Sequence, residues 1–254
     1  MKSKNVKIKN SQGHNLSARM DLPESGTCKS TVLFAHCFTC SKNLKAVGHI
    51  SRALTDHGIG VFRFDFTGLG QSEGDFSDST FSTDIKDLTA ASKFMSENWK
   101  APEILMGHSL GGAAVLQVAG RITSAKAVAT IGSPCNPKHV LHHLEEKMDE
   151  IEEKGEATVR LAGRPFKIKK TFLDDLDEQV MDQYIQNLKK ALLIFHSPVD
   201  ETVSIDNAAR IYKMAKHPKS FVSLDDADHL LTKEEDAKYV GQVTAAWAER
   251  YFSG

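Results

Sequence analysis

The stretch "MGHSLGG", Met106 to Gly112, sets a single serine hydroxyl among three glycines directly after an apolar run. Glycine serves a backbone where a turn is too tight, or a neighbouring segment too close, for a Cβ. In "EILMGHSLGGAAVLQVAG" a short strand leads into Gly107-His108-Ser109-Leu110-Gly111 and then an Ala-rich helix. The G-x-S-x-G pattern therefore stands in the strand-turn-helix context that lifts a nucleophilic serine clear of a sheet. A glycine-rich helix start can also hold a phosphate, but the G-K-S/T that would support that reading is missing.

A serine hydroxyl is a poor nucleophile until a base removes its proton, and the base must be held in one tautomer by a third group. The chain order expected around a G-x-S-x-G turn is serine, acid, histidine, each in a loop that follows a strand. Asp200 lies just past the apolar strand "ALLIFHS", in "PVDET", and His229 lies in "DDADHLL", after "SFVSL" and before the last helix. Among competing acids, Glu201 adjoins Asp200, and Asp225, Asp226 and Asp228 crowd His229, where they could raise its basicity or cap the following helix. Asp200 is preferred because it closes the strand that the order requires. His108 and His196 are expected to be structural. An oxyanion hole needs two backbone N–H groups: Leu110 supplies one, and Phe38, in the loop after "TVLFAH", is the candidate for the other.

These residues need a frame. Apolar runs alternate with amphipathic segments, which predicts β-α repetition around a mostly parallel sheet. Strands are expected at Val6 to Lys9, Leu16 to Asp21, Thr31 to Ala35, Gly60 to Phe64, Glu103 to Met106, Ala127 to Ile131, Ala191 to Phe195 and Ser220 to Ser223. The first two form an antiparallel hairpin turned at Ser11-Gln12-Gly13. Helices are expected at Leu44 to His57, Thr83 to Asn98, Ser109 to Ile122, Ile205 to Ala215 and Lys233 to Tyr251.

The alternation breaks from Pro134 to Lys190, a strongly charged interval between two sheet strands. There "HHLEEKMDEIEEKGEA" reads as a solvated helix, "TVRLAGRPFKIKK" as a hairpin turned at Ala162-Gly163, and "TFLDDLDEQVMDQYIQNLKK" as one or two further helices. The expected organisation is a core of residues 1–133 and 191–254 with residues 134–190 inserted as a cap. A surface excursion without function is the alternative.

At 254 residues, one large α/β domain is the better expectation than two small ones. A formal charge of -1 argues against nucleic acid or an anionic membrane surface as partner and favours a small neutral molecule. No run fits a signal peptide or a membrane span, which predicts a soluble cytoplasmic protein. Cys28, Cys37, Cys40 and Cys135 lack a disulfide-framework spacing and are expected as reduced thiols. The C-x-x-C of Cys37 and Cys40 could be half a zinc site or a redox pair, but neither a second pair nor a thioredoxin-like helix start accompanies it.

With these residues in place the chain resembles the α/β-hydrolase superfamily over nearly its whole length. The resemblance is carried by "AHCF", by the D-x-x-G-x-G-x-S turn of "RFDFTGLGQSEG" (Asp65, Gly68, Gly70, Ser72), and by "GHSLGG", "SPVDETV" and "DADHLL". More narrowly, "AHCFTCSKNLKA" and "ISRALTDHGIGVFRFDFTGLGQSEGDFSD" resemble bacterial hydrolases often joined to a C-terminal OsmC-like domain, which is expected to be absent here. Where the family usually has glycine after the histidine of the oxyanion loop, this chain has Cys37.

The resemblance implies an eight-stranded sheet and acyl transfer to water through Ser109, His229 and Asp200, with no metal or organic cofactor. A small carboxylic ester is the leading substrate class. A thioesterase, amidase or peptidase on the same residues, and a non-catalytic small-molecule binding protein, are the alternatives.

Overall fold

The computed structural model describes residues 1–161 and 163–252. The main sheet comprises β1 (Lys2–Lys9), β2 (Asn15–Leu22), β3 (Ser30–Ala35), β4 (Ile59–Phe64), β5 (Ile104–His108) and β6 (Ala127–Ile131). After a hairpin of β7 (Glu156–Leu161) and β8 (Arg164–Lys169), it resumes with β9 (Ala191–His196) and β10 (Lys219–Ser223). Its order is β1-β2-β4-β3-β5-β6-β9-β10. β1 and β2 pair antiparallel, β2 is antiparallel to β4, and every pairing from β4 onward is parallel.

Among the described residues, eight α-helices accompany the sheet: α1 (Lys45–Asp56), α2 (Phe81–Asn98), α3 (Leu110–Val118), α4 (Met148–Lys154), α5 (Lys170–Asp177), α6 (Met181–Gln186), α7 (Asp206–Met214) and α8 (Glu234–Ala248). Every residue of β3, β4, β5, β6 and β9 is buried, as expected of parallel strands covered on both faces. Alternation sorts their side chains. Leu33, Ala35, Leu105, Leu192 and Ile194 pack with α2 and α3, whereas Val32, Phe34, Ile104, Met106, Leu193 and Phe195 pack with α1 and α8.

The eight expected strands and five expected helices are all present, with shifts at their ends. α3 stops at Val118 rather than Ile122, because Gly120 follows and the N–H groups of Arg121 and Ile122 both turn back to the Val118 carbonyl, at 2.8 and 3.3 Å. The last helix ends at Ala248 and tightens into a 3₁₀ turn, Glu249–Tyr251.

The larger correction lies between β6 and β9. The single solvated helix expected over "HHLEEKMDEIEEKGEA" is instead 3₁₀ turns at Pro137–His143 and Glu145–Lys147 followed by the short α4, which Gly155 ends at φ 81°. Leu144 and Ile151 are fully buried, and anchoring both bends the charged chain onto the body of the protein. β7 and β8 form the expected hairpin, although Ala162 of its turn lies outside the described residues. Phe172, Leu173 and Leu176 of α5, with Met181 and Ile185 of α6, belong to the same apolar cluster as α2 and α3. This interval is therefore continuous with the core beneath it.

A buried ionic network ties the loop after β3 to its neighbours. The Asp65 carboxylate, one residue past β4, accepts the Lys42 backbone N–H at 2.7 Å, the Lys42 Nζ at 2.6 Å and the Gln71 N–H at 2.9 Å. Arg63 of β4 donates to Asp21 of β2 at 2.7 Å and also to the Lys42 carbonyl. The Lys42 and Asp65 side chains are 3% and 0% exposed, so neither charge can recover solvation if the other is lost. Lys42→Met is expected to cost about 3–5 kcal/mol by stranding Asp65, read as a fall in the urea midpoint at neutral pH. An unchanged midpoint would contradict a structural role for the pair.

Candidate active site

The C-terminal ends of the parallel strands bring the candidate residues to one edge of the sheet. Ser109 directly follows β5 and opens α3 with φ 54° and ψ −125°, a backbone conformation that side chains disfavour. Two close approaches enforce it. A Cβ on Gly107 would lie 2.2 Å from the Gly111 carbonyl oxygen, and one on Gly111 would lie 2.5 Å from the carbonyl oxygens of Ala35 and His36. The Ser109 N–H is anchored to the Ile131 carbonyl at 2.8 Å, which leaves the residue no freedom to relax. Leu110 is the first residue of α3, where backbone N–H groups have no acceptor within the helix.

Asp200, in the loop after β9, and His229, in the loop after β10, meet at 2.7 Å between Oδ2 and Nδ1. The other carboxylate oxygen of Asp200 accepts the N–H groups of Thr202 and Val203 at 2.9 and 2.8 Å. Burial pushes the Asp200 carboxyl up. The bonds from His229, Val203 and Thr202 outweigh it and hold the group below the usual carboxylate range. An ionised Asp200 accepts from Nδ1–H, so Nε2 of His229 is left to act as a base.

The His229 ring bonds Asp200 and none of the competing acids, although Glu201, Asp226 and Asp228 line a second cavity that also reaches His229. Asp228 accepts the Thr232 N–H at 3.0 Å before α8, Asp226 pairs with Lys233 at 2.8 Å, and Glu201 is exposed.

Three further histidines hold the frame. His108 donates from Nε2 to the His229 carbonyl at 2.7 Å, with the two rings 5.0 Å apart. Burial, then the neighbouring His229, lowers its pKa to about 3, so it stays neutral beside the Asp200–His229 pair. His196 lies 2.7 Å from the Val203 carbonyl, within the Asp200 loop. His36 accepts the Phe66 N–H at Nε2, at 3.4 Å, so its Nδ1–H donates to the Cys37 carbonyl at 2.9 Å.

Gly132, directly after β6, is a site residue that sequence reading missed. It has φ 52°, and a Cβ there would sit 3.2 Å from the Asp200 carboxylate and 3.3 Å from Nδ1 of His229. The only sequence signal was a glycine at the end of an apolar strand.

Phe38 follows β3, with its ring stacked on Phe172 at 5.6 Å and tilted against Phe76 at 5.6 Å, so the loop after β3 is gripped by α5. Cys37 and Cys40, expected as reduced thiols, are joined as a disulfide. The turn between them brings their Cα atoms to 5.3 Å, within bonding range, which spacing in sequence does not reveal. Cys28 and Cys135 are free.

A cavity of about 510 Å³ opens over these groups. Ser109, Leu110, His229, Phe38 and the disulfide line it, as do His139, His143 and Arg164 from the interval between β6 and β9. Among the described residues that line it, none is acidic.

The sheet and this edge have close counterparts among solved structures. The esterase domain of a Rhodothermus marinus protein is 50% identical, covers 100% of both chains and superposes with a TM-score of 0.82. Est1E from Butyrivibrio proteoclasticus with ferulic acid bound is 19% identical, covers 97% of this chain and 98% of its own, and has a TM-score of 0.79. The uncharacterized protein YfhR of Escherichia coli K12 is 22% identical over 202 residues, 79% of this chain and 63% of that protein. The chain thus spans less than two thirds of the curated relatives it matches. Fold and likeness together define an α/β hydrolase. Residues 26–154, just over half of the chain, match the Hydrolase_4 family, described as Serine aminopeptidase, S33, and the chain belongs to that family.

The buried neutral histidines carry a pH signature. His36, His108 and His196 all have their pKa lowered by burial below the ordinary value of 6.5. The unfolded chain therefore binds more protons, and stability is full above that value and declines as pH falls below it. His108→Gln keeps a donor for the His229 carbonyl and removes one titrating group. The loss of urea stability between pH 6.5 and about 5, above the range where carboxylates dominate, is expected to be shallower in that variant. An equal slope in both proteins would contradict the linkage.

Proposed function

We propose that the protein is a serine carboxylesterase acting on small, uncharged esters, with Ser109 as nucleophile, His229 as general base and acid, and Asp200 as the group that orients His229. Ser109 Oγ attacks the ester carbonyl as Nε2 of His229 takes its proton. The N–H groups of Leu110 and Phe38 receive the oxyanion, and the alcohol leaves with the proton returned by His229. Water then repeats the sequence on the acyl-enzyme. No metal or organic cofactor enters these steps.

The reading rests chiefly on the Asp200–His229 pair beside a strained Ser109 in a cavity without acidic lining. A strained serine and an imidazole oriented by a buried carboxylate are costly features that binding alone does not require. The uncharged acyl part is argued from the lining. An aminopeptidase must hold the ammonium of a free N-terminus, which calls for a carboxylate. The cavity that Ser109 lines offers Arg164 and two histidines beside His229, and Glu201, Asp226 and Asp228 line an adjoining cavity that shares His229 but not Ser109. A cavity of about 510 Å³ suits a compact ester. The 50% identity to a protein described as an esterase domain supports the same class.

As part of this proposal, residues 134–190 act as the cap that shapes the pocket, and the chain resembles more narrowly the bacterial hydrolases often joined to an OsmC-like domain. No helix among the described residues is long and apolar enough to cross a membrane. The cytoplasm is the proposed compartment.

The test is hydrolysis of p-nitrophenyl esters from acetate to palmitate. Activity is expected to peak at short acyl chains, and Ser109→Ala is expected to lose several powers of ten in kcat while remaining folded. Asp200→Asn is expected to keep a small remnant, because the attacking groups survive but the imidazole tautomer is wrong. Full activity in Ser109→Ala would overturn the mechanism. A folded wild type inert towards every ester would move the reading to thioesters, amides or a binding role.

A further inference from the structure

Residues 37–40 form a closed turn in which the Cys40 N–H donates to the Cys37 carbonyl at 3.1 Å. Its third residue, Thr39, has φ 61°. That position of such a turn is suited to glycine or asparagine, and a β-branched residue there is disfavoured. A conformation of this kind persists only where its surroundings over-determine it. Two cross-links do so here. The disulfide joins the turn's first and fourth residues, and Arg164 of β8, which also lines the cavity, donates to the Thr39 carbonyl. Phe38, the second residue of the turn, carries the N–H assigned above to the oxyanion.

We propose that the Cys37–Cys40 disulfide is a positioning element of the oxyanion hole: it holds the strained turn that aims the Phe38 N–H, and its reduction by a dithiol reversibly lowers turnover. The proposal rests on the serine-hydrolase reading. Both cysteines line the cavity, and Cys40 is the more exposed of the two. A thiolate of the dithiol attacks Sγ of Cys40, the S–S bond breaks, and Cys37 leaves as a thiolate that takes up a proton. The second thiolate of the reagent then displaces Cys40 from the mixed disulfide. Two electrons pass from the reagent, which closes to its own disulfide, and the protein gains two thiols. Once freed, the turn relaxes towards φ values that Thr39 favours, and the Phe38 amide loses its aim. Disulfide and thiol forms thereby become active and slowed states of one enzyme.

The experiment compares the full chain before and after treatment with dithiothreitol, with thiols counted by alkylation and mass. Hydrolysis of p-nitrophenyl acetate gives kcat and KM for each form. Reduction is expected to lower kcat about ten- to a hundredfold, somewhat less than removal of an oxyanion donor, with KM changed by less than about twofold. Reoxidation should restore kcat. The Cys28→Ser/Cys135→Ser double variant should respond identically.

Thr39→Gly is the decisive control, because glycine adopts φ 61° without strain. In that variant the ratio of oxidised to reduced kcat should fall to within about twofold of unity. A disulfide that served only global stability would lower the melting temperature on reduction with no such rescue. The proposal is overturned if the untreated protein shows four free thiols, if reduction leaves wild-type kcat unchanged, or if Thr39→Gly loses as much as wild type. Activity abolished by Ser109→Ala but indifferent to reduction would sink this inference alone. Activity that survives Ser109→Ala would sink the serine-hydrolase reading and this inference with it.

Discussion

Ser109 can sit at φ 54° only because β5, β3 and the start of α3 press against it from positions where no side chain intervenes. Such a residue stores about 1–3 kcal/mol of backbone strain, and the rest of the fold must hold it. Gly107 and Gly111 allow the approach, and the bond from the Ser109 N–H to the Ile131 carbonyl fixes the turn to β6. Buried strands on both sides, packed in two apolar layers, make the surroundings stiff enough to keep it.

The neighbouring loops obey the same logic of over-determination. Asp200 is held by two backbone N–H groups as well as by His229, and His229 is held at its carbonyl by His108. Gly132 leaves room for the pair, since any larger residue there would press on both partners. The loop after β3 is tied below by the Asp65–Lys42 pair and above by Phe172 and Arg164. Residues between β6 and β9 thus touch the proposed chemistry through packing, and their charged sequence conceals how much apolar surface they bury against α2 and α3.

The frame was legible because short apolar runs and glycine-rich turns are local properties of the chain. Each strand of the main sheet could be found from a short apolar run, and Ser109 from the pattern around it. Asp200 and His229 were legible for a related reason: each stands shortly after a strand, and parallel strands end on the same edge. The interval from residue 134 to 190 was harder. Leu144 and Ile151 sit among many charges, and a helical stripe of two residues cannot be told from chance until the surface that receives them is known.

What the sequence determined by itself was the order of elements, the strained serine turn and the candidates for an acid and a base, since all of these follow from spacing along one chain. Tertiary structure alone decided which acid faces His229, that a side chain at Gly132 would press on that pair, that His108 and His36 hold loops distant in sequence, and that Cys37 and Cys40 are joined. Those relations depend on distances of a few ångströms between segments folded together from different strands. Residue type limits which contacts are chemically possible, but only packing brings the two groups within reach.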